Sequence, residues 1–319
     1  MSKQLTEAPS RTPGSFLNFP LVTDLDDLNA HIAILGVPYG LPYKMGGGAN
    51  PQSEGPDAIR AASDRITMGL DRWDFDVGGT LLGGKDIRVV DCGNVRGDAY
   101  DPAEHYRLAE MAARKIVSAG AMPIVIGGDH GIPIPIFRAF DGYGADEVTL
   151  VHIDAHIDWR DEINGVSEGY SSPIRRASEM DHFGEIYQLG IRGTGSAREE
   201  EFRVAEAYGA NIITAYEIHD AGMDAIVDRI PAGGNYYITL DVDGLDPAMM
   251  PGVLAPVAGG LTFHQMRKLI HGLVAKGRVV GMDVNEFAPS YDPGYVGAVT
   301  CGQIITNLIG AAVHAGYFD

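Results

Sequence analysis

Short apolar runs recur near residues 31–36, 87–91, 122–126, 148–153, 186–191, 211–214, 236–240 and 278–284. Several lack polar alternation, as at Val148-Thr149-Leu150-Val151. Continuous runs belong to strands covered on both faces, as in a parallel sheet. Amphipathic stretches lie between many of them. The clearest is 102–118. There Asp101 caps, Pro102 suits the first helical position and Glu104 completes a capping box. Leu108, Met111, Ala112 and Ile116 then form one apolar stripe. This βα repetition predicts an open parallel α/β fold. Residues 1–28 are polar and proline-rich and predict an N-terminal surface arm. No composition break or internal repeat divides the rest, so 29–319 reads as one domain.

Composition narrows the function classes. Hydrophobic residues make up 45% of the 319, enough for a large core, which excludes a disordered chain. The formal charge is -19, from 24 Lys+Arg against 43 Asp+Glu. That balance argues against duplex nucleic acid and against an anionic membrane surface as partners. Cys92 and Cys301 are far apart and form neither a disulfide framework nor a zinc-finger spacing. No basic-then-apolar leader and no run of eighteen apolar residues is present, so a cytoplasmic protein with buried reduced thiols is expected. Glycine is 42 of 319 residues, about twice the usual share. It concentrates in loops such as Gly46-Gly47-Gly48 and Gly127-Gly128, without a Walker or GxGxxG pattern.

The chemistry sits in three stretches, each directly after an apolar run: Gly127-Gly128-Asp129-His130, Asp154-Ala155-His156-Ile157-Asp158 and Asp241-Val242-Asp243-Gly244-Leu245-Asp246-Pro247. In a parallel sheet such strand ends share one edge, where these folds bind ligands. Burying so many carboxylates together requires cations to neutralise them. Imidazole nitrogen with carboxylate oxygen suits Mn, Fe, Co, Ni or Zn better than Ca. Asp154, His156 and Asp158 share one face if the strand continues, and a tight loop would also converge them. Asp241 and Asp243 form a second such pair. Six candidate ligands exceed one four-coordinate site, whereas bridging carboxylates accommodate two ions roughly 3.5–4 Å apart.

With these motifs the chain resembles the arginase/agmatinase family of ureohydrolases, from Gly36 to the end. The resemblance implies a three-layer α/β/α fold with an eight-stranded parallel sheet. It implies hydrolysis of a guanidino group to urea and an amine, in the agmatinase-like branch. It implies two divalent ions, most often manganese, with nickel or cobalt accepted by the same donors. It also implies a homo-oligomer, hexamer or trimer. By motif position His130 and Asp158 bind one ion, His156 and Asp243 the other, and Asp154 and Asp241 bridge. Asp246 holds its loop. Glu286, ending Gly281-Met282-Asp283-Val284-Asn285-Glu286, grips the substrate guanidinium. Asp158 passes a proton to the leaving amine.

Two departures bear on substrate. Most relatives carry a His-Gly element about a dozen residues after the Asp-x-His-x-Asp stretch. Here the region reads Val166-Ser167-Glu168-Gly169-Tyr170-Ser171-Ser172-Pro173. Glu168 takes the place of that catalytic histidine, as proton relay or amine receptor, or else as an exposed loop residue. Gly131 follows GGDH where serine or phenylalanine is more usual. Trp159, Asn164 and Tyr170 are expected to enclose the substrate, and 42–50 to border its access. Arg160 and Arg175 face a substrate carboxylate or pair with acids such as Asp161 or Glu162. His152 reads as a core histidine. The alternatives are a hydrolase of guanidine or small alkylated guanidines, a guanidino-acid hydrolase, another amide or C–N hydrolase on this scaffold, and a partner subunit of a mixed oligomer.

Overall fold

Every apolar run forms a strand in the computed structural model of the chain, which describes residues 5–7, 14–40, 43, 50–97 and 101–319. The strands are β1 (Ile32–Val37), β2 (Val89–Val95), β3 (Met122–Gly127), β4 (Val148–Ile153), β5 (Phe183–Ile191), β6 (Asn211–Thr214), β7 (Asn235–Asp241) and β8 (Arg278–Asn285). All eight are parallel, in the order β2-β1-β3-β8-β7-β4-β5-β6. A two-residue strand, Thr6–Glu7, adds antiparallel to the outer edge of β2.

The continuous apolar runs follow from burial on both faces. On β1, Ile32 and Ile34 enter one core cluster, while Ala33, Leu35 and Val37 enter the other. On β7, Tyr236, Ile238 and Leu240 face the first cluster and Tyr237 the second. The first core is completed by helices α1 (Gly55–Ser63), α4 (Phe263–Lys276) and α5 (Val296–His314). The second is completed by α2 (Pro102–Ser118), with Ala205 of α3 (Glu199–Tyr208). Three layers result. The N-terminus of α2 has the expected cap, with Asp101 accepting the Glu104 N–H at 3.1 Å. Helix α5 and the turn before it are apolar enough to cross a membrane by composition. However, 83% of that window is buried within the protein, so the apolar face is used by the core. Cys92 and Cys301 are both buried and free.

Where it is described, at residues 5–7 and 14–28, the stretch expected to be a surface arm is anchored to the core. Leu5, Phe16, Leu17, Phe19 and Leu25 are buried. Asp91 on β2 accepts the Phe16 N–H at 2.8 Å and holds the fully buried Arg60 of α1 through two bonds, of 2.8 and 2.9 Å. Polar composition concealed the few large apolar residues that fix this segment.

Candidate metal centre

Four neighbouring strands, β3-β8-β7-β4, deliver the chemical residues to one edge. Paired positions near their ends are in register, with Val284 of β8 beside Ile126 of β3 and Leu240 of β7 beside Ile153 of β4. The loops that leave these strands therefore start side by side, at the carboxyl edge where α/β sheets bind ligands.

Each of the three motif loops turns by the same device. A carboxylate oxygen accepts the N–H two residues on: Asp129 from Gly131 (2.9 Å), Asp154 from His156 (2.6 Å) and Asp241 from Asp243 (2.8 Å). Strand β4 ends at Ile153, so a tight loop, not a continued strand, converges Asp154, His156 and Asp158. Asp158 has φ +48°, a left-handed backbone of the kind that clusters at functional sites. Gly128 lets the β3 loop pass close to its neighbour. A Cβ there would lie 2.4 Å from the Tyr39 carbonyl oxygen.

The side chains meet in two overlapping sets. His130 Nδ1 lies 2.7 Å from Asp158 Oδ2, 3.2 Å from Asp154 Oδ2 and 3.6 Å from Asp241 Oδ2. His156 Nδ1 lies 3.2 Å from Asp154 Oδ1 and 3.1 Å from Asp243 Oδ2. Asp154 belongs to both sets. Burial, then the neighbouring Asp154 charge, pushes Asp158 up to about 7 and Asp243 up to about 6. Burial, then Asp243 and Asp154, holds Asp241 well above the usual carboxylate range. Burial opposes the charge on His156, yet Asp154 and Asp243 push it up to about 12. Burial likewise opposes the ionised form of Asp154, but bonds from His130, His152 and His156 hold it well below its usual range. A buried cluster of this kind demands positive charge. Its mixed imidazole and carboxylate donors fit first-row divalent ions.

Surrounding groups fix the donors. The His130 Nε2 lies 3.2 Å from Thr239 Oγ1, and Thr239 donates to Asp283 at 2.7 Å. A proton on Nε2 leaves the Nδ1 lone pair directed at the acids. His152 is buried in the core. Its Nε2 donates to Asp154 (2.9 Å), and its Nδ1 accepts from Gln188 (3.0 Å). With its Nε2 lone pair replaced by that proton, His152 orients a ligand instead of acting as one. Glu286, at φ +67°, accepts the His130 N–H at 2.8 Å and the Gln52 amide at 2.7 Å. The Asp246 carboxylate accepts from Ala248, Gly259 and Gly260, which ties its loop.

A cavity of about 280 Å³ opens beside the cluster. His156, Asp158, Asp241, Asp243, Glu286, Trp159 and Tyr170 all line it. Asn164 does not. Its amide donates to the Tyr43 carbonyl, so it secures the loop instead of enclosing substrate. Glu168 also lies off the cavity. Its carboxylate is bonded by Arg138, and its backbone carbonyl accepts the Tyr106 hydroxyl at 3.0 Å. This placement does not support the relay or amine-receptor role expected from the motif. Arg175 pairs with Glu179, off the cavity. Of the stretch 42–50, only Tyr43 and Asn50 are among the described residues.

Among the cavity residues that sequence reasoning missed are Gln52 and Glu201. Gln52 is 234 positions from Glu286, and nothing local marks it as a partner. Glu201 pairs with Arg160 at 2.6 Å across 41 positions, whereas the sequence suggested nearer acids.

Comparison with known proteins places this geometry in context. The profile of the Arginase family matches residues 30–310. An agmatinase of Citrobacter koseri is 32% identical over 302 residues, covering 92% of this chain and 91% of the relative. A guanidinobutyrase of Pseudomonas aeruginosa is 31% identical over 296 residues, covering 90% of this chain and 85% of the relative. Among solved structures, a hypothetical agmatinase from Burkholderia thailandensis superposes with a TM-score of 0.80 at 29% identity, covering 94% of this chain and 90% of that one.

Proposed function

This chain belongs to the arginase family, and from that membership we propose that it is a metal-dependent ureohydrolase that releases urea from a small guanidino compound. The observation that carries the reading is Asp154 shared between the His130 and His156 sets, beside a cavity that Glu286 also lines. His130 and Asp158 would hold one divalent ion and His156 and Asp243 a second, with Asp154 and Asp241 between them. Bound divalent ions supply Lewis acidity and make water nucleophilic near neutral pH.

The chain's own groups supply the rest. Each Glu286 oxygen accepts one protein N–H and retains lone-pair capacity for a guanidinium N–H. A carboxylate fixed by two such bonds orients a planar cation with little further loss of freedom. Water adds to the guanidinium carbon, the C–N bond to the amine breaks, and Asp158 carries a proton to the departing nitrogen. We assign manganese as the first metal to test, with nickel and cobalt as competitors that the donor set also accepts.

The decisive experiment loads the protein with manganese, nickel or cobalt and measures urea from a panel of guanidino compounds. His130→Ala and Asp243→Ala are expected to abolish turnover and to lower bound metal. Wild-type metal content and turnover in either variant would refute the assignment. We further propose a cytoplasmic homo-oligomer, hexamer or trimer. Exposed Met68, Trp73 and Phe75 supply an apolar face for such contacts. Sedimentation of the wild type as a monomer would exclude that assembly.

A further inference from the structure

We infer that Arg160 recognises the tail of the substrate, and that the preferred substrate is a guanidino acid with a terminal carboxylate. The inference rests on the ureohydrolase reading and names the substrate class of the same site.

Arg160 and the metal-centre residues line one cavity. Its depth is marked by the buried Asp241 and Asp243, and its outer part by the exposed Gly195 and Leu254. Arg160 is intermediate in exposure, with 22% of its side chain accessible. No other Lys or Arg lines the cavity among the described residues.

The guanidinium of Arg160 is held in place. Its backbone N–H donates to the Ser171 carbonyl at 2.9 Å. Its Nε donates to Glu201 Oε1 at 2.6 Å. A guanidinium has five N–H donors, and this bond uses only one. Neither terminal amino group has a hydrogen-bond partner among the described residues. A fixed fork of unspent donors in a cavity matches a carboxylate, which it can bind bidentately.

The adjacent Glu201 does not reverse this preference. Its Oε1 takes the Arg160 bond, and its Oε2 takes the Arg198 N–H at 2.9 Å. Burial opposes its charge most strongly, but the Arg160 bond, the Arg198 N–H and the charges of both arginines together hold its carboxyl below the usual range. Glu201 retains lone pairs as Glu286 does, but its charge is already matched by the Arg160 guanidinium that it orients. A substrate with an ammonium tail would meet a cation whose nearest acid is already paired.

The test measures urea release by the metal-loaded protein. The substrates are guanidinoacetate, 3-guanidinopropionate, 4-guanidinobutyrate, agmatine and guanidine. At least one acid is expected to exceed agmatine in kcat/KM by about 10-fold or more, the scale of a charge-assisted hydrogen bond. Arg160→Met should raise KM for that acid by about 10-fold or more while kcat changes far less, since the tail bond is present in ground and transition states alike. The same variant should leave tail-less guanidine unaffected. Arg160→Lys should restore only part of the loss, because a point charge lacks the fork. Calorimetric affinity of the acid for wild type and Arg160→Lys gives a second readout independent of turnover.

Agmatine matching or exceeding every acid would overturn the inference. So would equal losses on acid, agmatine and guanidine in Arg160→Met, which indicate a structural role. Urea from agmatine or guanidine alone would overturn it while preserving the ureohydrolase reading. Urea from none of the compounds would refute that reading and this inference together.

Discussion

Asp129, Asp154 and Asp241 each use one oxygen to close a turn, and their second oxygens separate their roles. Asp154 Oδ2 lies between His130 and His152, at 3.2 and 2.9 Å. Asp241 Oδ2 reaches within 3.6 Å of His130. Among the described residues Asp129 has no imidazole contact beyond the field of the adjacent His130, and in GGDH its Oδ1 closes the turn. The orientation of His130 depends in turn on Thr239 and, beyond it, Asp283. Thr239→Val keeps the shape and removes the acceptor. It should weaken metal binding by about 10- to 100-fold, the usual scale for a partner behind a ligating histidine. A chelator-competition titration checks this, and an unchanged metal Kd would remove Thr239 from the centre.

At the scale of elements, Gly131 and the loop that carries Glu168 meet the same side chain. Tyr106 projects from α2 and is buried. A Cβ on Gly131 would lie 2.3 Å from the Tyr106 hydroxyl, and the same hydroxyl donates to the Glu168 carbonyl. The tyrosine thus occupies the space that a side chain at 131 would need and pins the loop that carries Glu168. Gly131→Ala should destabilise the protein by about 1–3 kcal/mol, as overpacking does. The cost should shrink in a Tyr106→Phe background if that contact is the cause. Equal costs in both backgrounds, measured by denaturant unfolding, would show it is not. Glu168→Gln breaks only a half-exposed pair with Arg138, worth about 0–1 kcal/mol. Its kcat on every active guanidino compound should stay within about 5-fold of wild type, the span of that energy. A larger fall would return Glu168 to the chemistry.

These elements also mark the limit of what the sequence disclosed. The strands and the motif edge were legible because apolar runs and turn residues are local signals. That His130, Asp154 and Asp243 converge was legible because clustered acids and histidines at strand ends have few structural uses. The bond from Gln52 to Glu286 and the Arg160–Glu201 pair join segments with no shared pattern. The direction of the Glu168 side chain, toward Arg138 and off the cavity, was not legible because motif position fixes where a loop begins, not which way its side chains turn.

For the whole molecule, the buried cluster couples metal, protons and stability. In the metal-free protein Asp158 titrates near 7 and Asp243 near 6, against about 3.9 for an unfolded aspartate. The folded state therefore holds protons that the unfolded state has lost, and stability falls as pH rises through those values. His156, raised to about 12, acts in the same direction: its contribution is full below about 6.5 and declines above it. Asp154, held low, contributes above the unfolded carboxylate range and changes little between about pH 5 and about pH 8. Metal ions bind the deprotonated donors, so their affinity grows over the same interval. Ligand linkage turns that affinity into folding stability. The Tm difference between metal-loaded and metal-free protein should therefore widen steadily from about pH 5.5 to about pH 8. Differential scanning calorimetry of both forms across that range measures it. A gap that is constant or narrows with pH would mean that these carboxylates and imidazoles are not where the ions bind.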